Sequence, residues 1–291
     1  MASTLREYRR YVRPVPNAVT DDGVDIAWYD FGGDGPDLLL AHATGFHGHV
    51  WLPVVERLRA RFRCVAFDER GHGDSASPAD GVFDWHGFAR DVRAVVEAAG
   101  LSQPFGVGHS CGGASLLLAE EDAPGTFRAL YCYEPVVPPF DDPPPPRESP
   151  MAAGARRRRE VFDSREEAFD RYRSKPPTSG FREDVLRAYV DFGVDDLADG
   201  TVRLKCRGED EARVYEWGAS HSAFRRLDAV RCPVTLAYGE VNPHFGLPVM
   251  EAMAGRLASA SVESAARLTH FGPLEDPDAV ADAVLRAFEG S

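Results

Sequence analysis

Positive charge is in short supply. The chain of 291 residues carries 33 lysines and arginines against 46 aspartates and glutamates, a net charge of −13. A phosphate backbone must be met by a basic surface, so nucleic acid is excluded as a partner. Cysteine is also sparse: Cys64, Cys111, Cys132, Cys206 and Cys232 stand without paired spacing. That pattern suits a reducing compartment better than a disulfide framework, and no Cys-x-x-Cys or His/Cys cluster points to zinc. No apolar run approaches the length needed to cross a bilayer. The opening stretch holds Arg6, Arg9, Arg10 and Arg13 without an apolar core behind them, so no signal peptide is expected. Internal repeats and low-complexity tails are missing too. These absences together predict a soluble, cytoplasmic protein that binds neither nucleic acid nor a membrane.

What is present centres on Phe105-Gly106-Val107-Gly108-His109-Ser110-Cys111-Gly112-Gly113. Phe105 to Val107 reads as the end of a buried strand and Ala114 to Ala119 as a helix, which sets Gly108-His109-Ser110-Cys111-Gly112 at a strand-to-helix turn. A serine at the apex of so sharp a turn takes strained dihedrals, and glycines on either side remove side chains that would collide with strand and helix. Its hydroxyl is left exposed above the N-terminus of the helix, where developing negative charge is favoured. Ser110 is therefore the candidate nucleophile.

Around this turn the chain alternates strands and helices. Val24 to Tyr29 suggests an early antiparallel strand, Asp37 to His42 and Cys64 to Phe67 read as strands buried on both faces, and Ala129 to Tyr133 as another, stopping at Glu134-Pro135. Helices are expected from about Trp51 to Arg61 and from Asp84 to Ala99. The fold class is α/β, a mostly parallel sheet with helices on both faces. Composition changes at proline-rich Val136 to Pro150. Residues 136–226 contain 17 basic against 18 acidic side chains, so almost all the net charge falls on the remainder. This segment is expected to be a helical cap inserted into a core made of residues 1–135 and 227–291, with helical patches at Val161 to Arg173 and Arg182 to Phe192. The run Arg156 to Arg159 reads first as a solvated helix face and second as a site for an anionic group. The parallel pattern resumes at Cys232 to Gly239, with a helix from Leu247 to Leu257, a strand near Ser261 to Ala266 and a terminal helix from Ala279 to Phe288.

Four segments in order, His42-Ala43-Thr44-Gly45-Phe46, Asp68-x-Arg70-Gly71-x-Gly73-x-Ser75, the Ser110 turn, and His270-Phe271 ahead of Glu275-Asp276-Pro277, resemble the α/β-hydrolase superfamily, especially its capped members. The resemblance implies a cofactor-independent serine hydrolase acting on a small, hydrophobic ester, thioester or lactone. Ser110 would attack, with His270 as its base. Backbone N–H groups of Cys111 and Thr44 would form the oxyanion hole. The acid that orients the base departs from the commonest pattern, because its usual place is held by Asn242. Glu134, at the end of the strand beside the nucleophile's own, is the first choice, Glu240 the second and Asn242 the third. A lyase, C–C hydrolase or cyclase using the same site, and a non-enzymatic binding protein, are the alternative functions. Arg70 is expected to pair locally. Aromatic residues of the inserted segment are read as core, some facing an acyl or ring system.

Overall fold

Apolar runs that alternate with amphipathic stretches build the layers of this protein. The computed structural model describes residues 17–241 and 245–289. A short ribbon of β1 (Ala18–Val19) and β2 (Asp25–Ile26) comes first. Then follow β3 (Trp28–Gly32), β4 (Asp37–Ala41), α1 (Leu52–Leu58), β5 (Arg63–Phe67), α2 (Trp85–Ala98), β6 (Phe105–His109), α3 (Cys111–Asp122) and β7 (Ala129–Tyr133). Residues 136–226 hold α4 (Pro150–Arg156), β8 (Val161–Phe162), α5 (Arg165–Arg173), α6 (Glu183–Phe192), β9 (Val194–Asp196), β10 (Val202–Leu204), α7 (Gly208–Trp217) and α8 (Ala223–Arg226). The chain ends with β11 (Val234–Gly239), α9 (Leu247–Ala254), β12 (Ala260–Ala265), α10 (Gly272–Glu275) and α11 (Pro277–Ala287).

Seven strands form the main sheet in the order β12-β11-β7-β6-β4-β5-β3, parallel throughout except where β3 runs antiparallel to β5. Central strands are covered on both faces, which is why Leu38, Leu39 and Leu40 are apolar in succession and fully buried. One face receives α1 and α11 through Val54, Leu58, Val280 and Val284. The other receives α2, α3 and α9 through Phe88, Val92, Leu117 and Met250. Helix starts are chemically marked: the Asp84 carboxylate accepts from the His86 N–H ahead of α2, and that of Asp276 accepts from the Ala279 N–H of α11, with Pro277 at its first position.

Several expectations are corrected. Val161 to Arg173 is not all helix. Val161 and Phe162 pair with β10, and α5 starts only after Ser164, whose hydroxyl accepts the Glu167 N–H; a β-branched and an aromatic residue suit the strand, and Ser164 with Glu167 has the spacing of a capping box. The helix expected from Trp51 is a 3₁₀ turn at Gly48–Trp51 leading into α1, which stops at Leu58. Arg70 does not pair locally. Its guanidinium is buried against Asp91 of α2, with Nη2 2.6 Å from the carboxylate, and reaches Asp22 in the β1–β2 loop at 2.8 Å. The arginine run is not one helix face either, because α4 ends at Arg156, and beyond it Arg158 pairs with Glu211 and Arg159 with Glu167.

Among the described residues, 136–226 adds no strand to the main sheet; it forms its own antiparallel sheet, β8-β10-β9. Its apolar side chains Phe162, Phe169, Val185 and Tyr189 belong to the same cluster as Phe46, Val50 and Trp51. Lys205 bonds Asp74 at 2.5 Å and Arg182 bonds Asp278 at 2.9 Å across the same boundary. No helix among the described residues is long and apolar enough to cross a membrane.

Candidate active site

β6 lies between β4 and β7, and the turn that leaves it carries Ser110 at φ 56° and ψ −115°. The neighbouring strands hold that backbone in place: its N–H donates to Tyr133 O at 2.9 Å, and its carbonyl accepts from Ala114 and Val136. Helix α3 starts so close to the end of β4 that a Cβ on Gly112 would lie 2.3 Å from Ala41 O. Only glycine permits this approach, which sets Ser110 beside the Thr44 loop.

His270 arrives from the loop after β12, at the far edge of the sheet. Three backbone carbonyls of that loop are fastened: Val241 N–H donates to Leu268 O at 3.1 Å, the Tyr133 hydroxyl to Thr269 O at 2.8 Å and His109 Nε2–H to His270 O at 2.7 Å. Phe245 stacks on the imidazole with ring centroids 5.0 Å apart. So held, His270 Nε2 lies 3.1 Å from Ser110 Oγ, and its Nδ1 lies 2.6 Å from Glu134 Oε2. Glu134 is fully buried at the end of β7, and its Oε1 accepts the Gly239 N–H at 2.8 Å. With Nδ1–H donating to the carboxylate, Nε2 is left as an acceptor for the serine proton.

The other candidates lie as follows. Glu240 is exposed, and its Oε1 accepts from Ser264 Oγ at 2.9 Å. Asn242 falls outside the described residues. The Thr44 side chain hydrogen-bonds the Cys111 thiol, so the two proposed oxyanion residues are neighbours, and Cys111 opens α3 with one of the N–H groups that a helix start leaves without an intrahelical partner. Burial and the adjacent Glu69 push the Cys111 thiol pKa well up, which keeps it protonated and poorly nucleophilic. Burial likewise raises the Glu69 carboxyl to about 7 against a hydrogen bond from Ser115 at 2.7 Å. Among the described residues no group of three His, Cys, Asp or Glu is arranged to hold a metal.

His109, Tyr133 and Phe245, which hold His270 in position, had no distinguishing signal in the sequence; only the position of His109 next to the serine hinted at a role. A cavity of about 310 Å³ opens beside Thr44 and Phe271 and is closed by Arg158, Tyr172, Tyr189 and Glu211 of the 136–226 segment. Phe162 and Phe169 are buried core, while Phe181 packs on Phe46 and Phe271. A larger groove of about 520 Å³ runs between β12 and α11; Ser110 and His270 line neither this groove nor the smaller cavity, but only the smaller one is lined by Thr44 and by Phe271, the neighbour of His270.

The family model for the alpha/beta hydrolase family matches residues 38–283, from β4 into α11. The bifunctional esterase/perhydrolase DCH of Acinetobacter calcoaceticus is 42% identical over 96 residues, 32% of this chain and 34% of that protein. The chain spans about a third of the length of the curated relatives it matches. Solved structures align far more completely at low identity. E-2-(acetamidomethylene)succinate hydrolase superposes with a TM-score of 0.77 at 20% identity, over 93% of this chain and 98% of that one. The enol-lactonase from Burkholderia xenovorans LB400 gives 0.71 at 17%, over 94% and 100%. On the family match and the shared architecture, the chain belongs to the alpha/beta hydrolase family.

Proposed function

We propose that this protein is a cofactor-independent serine hydrolase that cleaves a small ester, thioester or lactone through an acyl-enzyme. The observation that carries the reading is the continuous hydrogen-bonded row from Ser110 Oγ through His270 to Glu134. A hydroxyl is a weak nucleophile at neutral pH, so its proton must leave as the new C–O bond forms. His270 Nε2 takes that proton, and the buried Glu134 carboxylate stabilises the resulting imidazolium through Nδ1–H. Negative charge on the former carbonyl oxygen is met by the N–H groups of Cys111 and Thr44. Collapse of this intermediate expels the leaving group, which takes the proton from Nε2. Water then repeats the sequence on the acyl-enzyme, returning Ser110 with its hydroxyl and releasing the acid. The 136–226 segment serves as the cap, shaping the acyl pocket and excluding bulk water. Hydrolase names among the relatives and structural neighbours support the same chemistry.

A fluorophosphonate should label the folded protein at Ser110, and 4-nitrophenyl acetate should give a burst of one equivalent of nitrophenol before steady turnover. Both should vanish in Ser110→Ala. A folded wild-type protein that gives neither signal refutes the reading.

A further inference from the structure

The cavity beside Thr44 is cationic, in a chain whose net charge is −13. Three cations, Arg158, Arg171 and Lys175, line it against one carboxylate, Glu211. Of the four consecutive arginines, Arg156 is tied to Glu148, Glu209 and Glu216, Arg159 to Glu167, and Arg157 is exposed; only Arg158 enters the cavity. Its side chain is 21% exposed and that of Glu211 8%, with Nη1 2.5 Å from Oε2. The Nε–H of Arg158 is buried and has no acceptor among the described residues. Buried guanidinium donors are costly to leave without acceptors, and a planar oxyanion supplies one. Tyr172, Tyr189 and Tyr215 line the cavity around the pair, the Tyr215 hydroxyl donating to Glu211 Oε1 at 3.4 Å.

The cluster is also close to the chemistry. Gly45 has φ 85°, and a Cβ there would lie 2.8 Å from Glu211 Oε1 and 3.6 Å from Arg158 Nη1. Gly45 directly follows Thr44, a proposed oxyanion donor, and the lining residue Phe271 directly follows His270. Thr44 lines the same cavity as the guanidinium, so an acyl chain whose carbonyl oxygen rests at Thr44 would have its far end directed into that cavity.

Building on the hydrolase reading above, we infer that the cavity recognises a carboxylate on the far end of the acyl group, so that the substrate is a half-ester, or the equivalent thioester or lactone, of a small dicarboxylic acid. One buried guanidinium partly neutralised by Glu211 suits a single negative charge better than a phosphate. Arg171 and Lys175, exposed at the rim, attract the anion toward the buried end.

The test compares kcat/KM for monoethyl glutarate and ethyl pentanoate, which differ by carboxylate against methyl, followed by pH-stat. The half-ester should be preferred at least about tenfold, and Arg158→Met should reduce that preference by about 10- to 100-fold, the scale of a lost charged hydrogen bond. Because Arg158→Met strands Glu211, the double variant Arg158→Met/Glu211→Gln and the rim variants Arg171→Met and Lys175→Met are measured beside it. An unchanged preference in every folded variant, or equal rates for the two esters in wild type, overturns the proposal. Titration calorimetry on Ser110→Ala reads recognition without turnover: monoethyl glutarate should bind more tightly than ethyl pentanoate, and inorganic phosphate should not displace it at equal concentration. Displacement by phosphate overturns the choice of carboxylate. Labelling of Ser110 with equal treatment of both esters refutes the pocket alone. Preferential binding without labelling or turnover refutes the hydrolase reading and leaves the pocket standing.

Discussion

Ser110 is held where an L-residue is strained, and such a conformation costs on the order of 1–3 kcal/mol. Both Ser110→Ala and Ser110→Gly remove the hydroxyl, but only glycine relieves the backbone. Ser110→Gly should therefore be more stable than Ser110→Ala by about 1 kcal/mol in urea denaturation, once glycine's greater freedom in the unfolded chain is allowed for. Equal midpoints would mean that the strain is no larger than glycine's entropic cost, and a less stable Ser110→Gly that the turn stores none. At the partner end of the row, Glu134→Gln keeps the shape of the side chain but loses the charge facing Nδ1, so kcat should fall by roughly 10²- to 10⁴-fold. Glu240→Gln, with its carboxyl on Ser264 and not on the imidazole, should stay within about twofold of wild type. A large loss in Glu240→Gln alone would reverse the two assignments. The residues that could be picked out in the sequence are those whose local geometry demands a particular type. A strained serine needs glycine where α3 meets β4, and a parallel strand beside the one that carries Ser110 ends at the rim whatever lies between. Arg70 offered no such demand, because its partners stand 21 and 48 positions away on other elements. The hold of His109 on the His270 carbonyl is equally nonlocal.

Elements were legible where one period ran uninterrupted. β4 and β5 announce themselves as apolar runs and α2 as Phe88, Val92 and Val95, but a strand as short as β8 has no period to read, so its two residues merged with the helix beyond Ser164. Helix α3 has no amphipathic signal because it is buried nearly all round, from Cys111 to Glu121. Its last turn takes Glu121 inside with neither carboxyl oxygen hydrogen-bonded among the described residues, and burial raises that pKa from 4.5 to about 9, Arg226 offsetting only part. Between those two pH values the folded state binds a proton that the unfolded chain has released. The contribution favours folding fully below pH 4.5 and is lost as pH climbs through 9. Glu121→Gln abolishes it, so the stability of the variant relative to wild type should rise with pH over this window, by up to about 1.4 kcal/mol per unit. Urea denaturation of both proteins at pH 5 and pH 8 measures this; a difference that stays constant contradicts the buried, protonated carboxyl.

At the scale of the whole molecule, the 136–226 segment and one face of the sheet share a single apolar cluster that runs from Phe105 and Val284 through Trp51 and Phe46 to Tyr189 and Phe162. A boundary so packed should not part before the rest. Near-UV and far-UV circular dichroism should report coincident urea transitions, and an early loss of the aromatic signal would show the segment opening on its own. In the sequence residues 136–226 stand out by a change in charge and proline content, but nothing there tells which of their side chains would face Gly45 and which would join the cluster, since both kinds sit on short, strongly charged helices. The five thiols are all interior, and that of Cys111, next to Ser110, is kept protonated by its surroundings. Maleimide dyes should therefore pass over the native protein. A cysteine introduced at the exposed Arg157 position would be the sole handle for a fluorophore, giving an optical report on ligand entry without first stripping the molecule of its own sulfur.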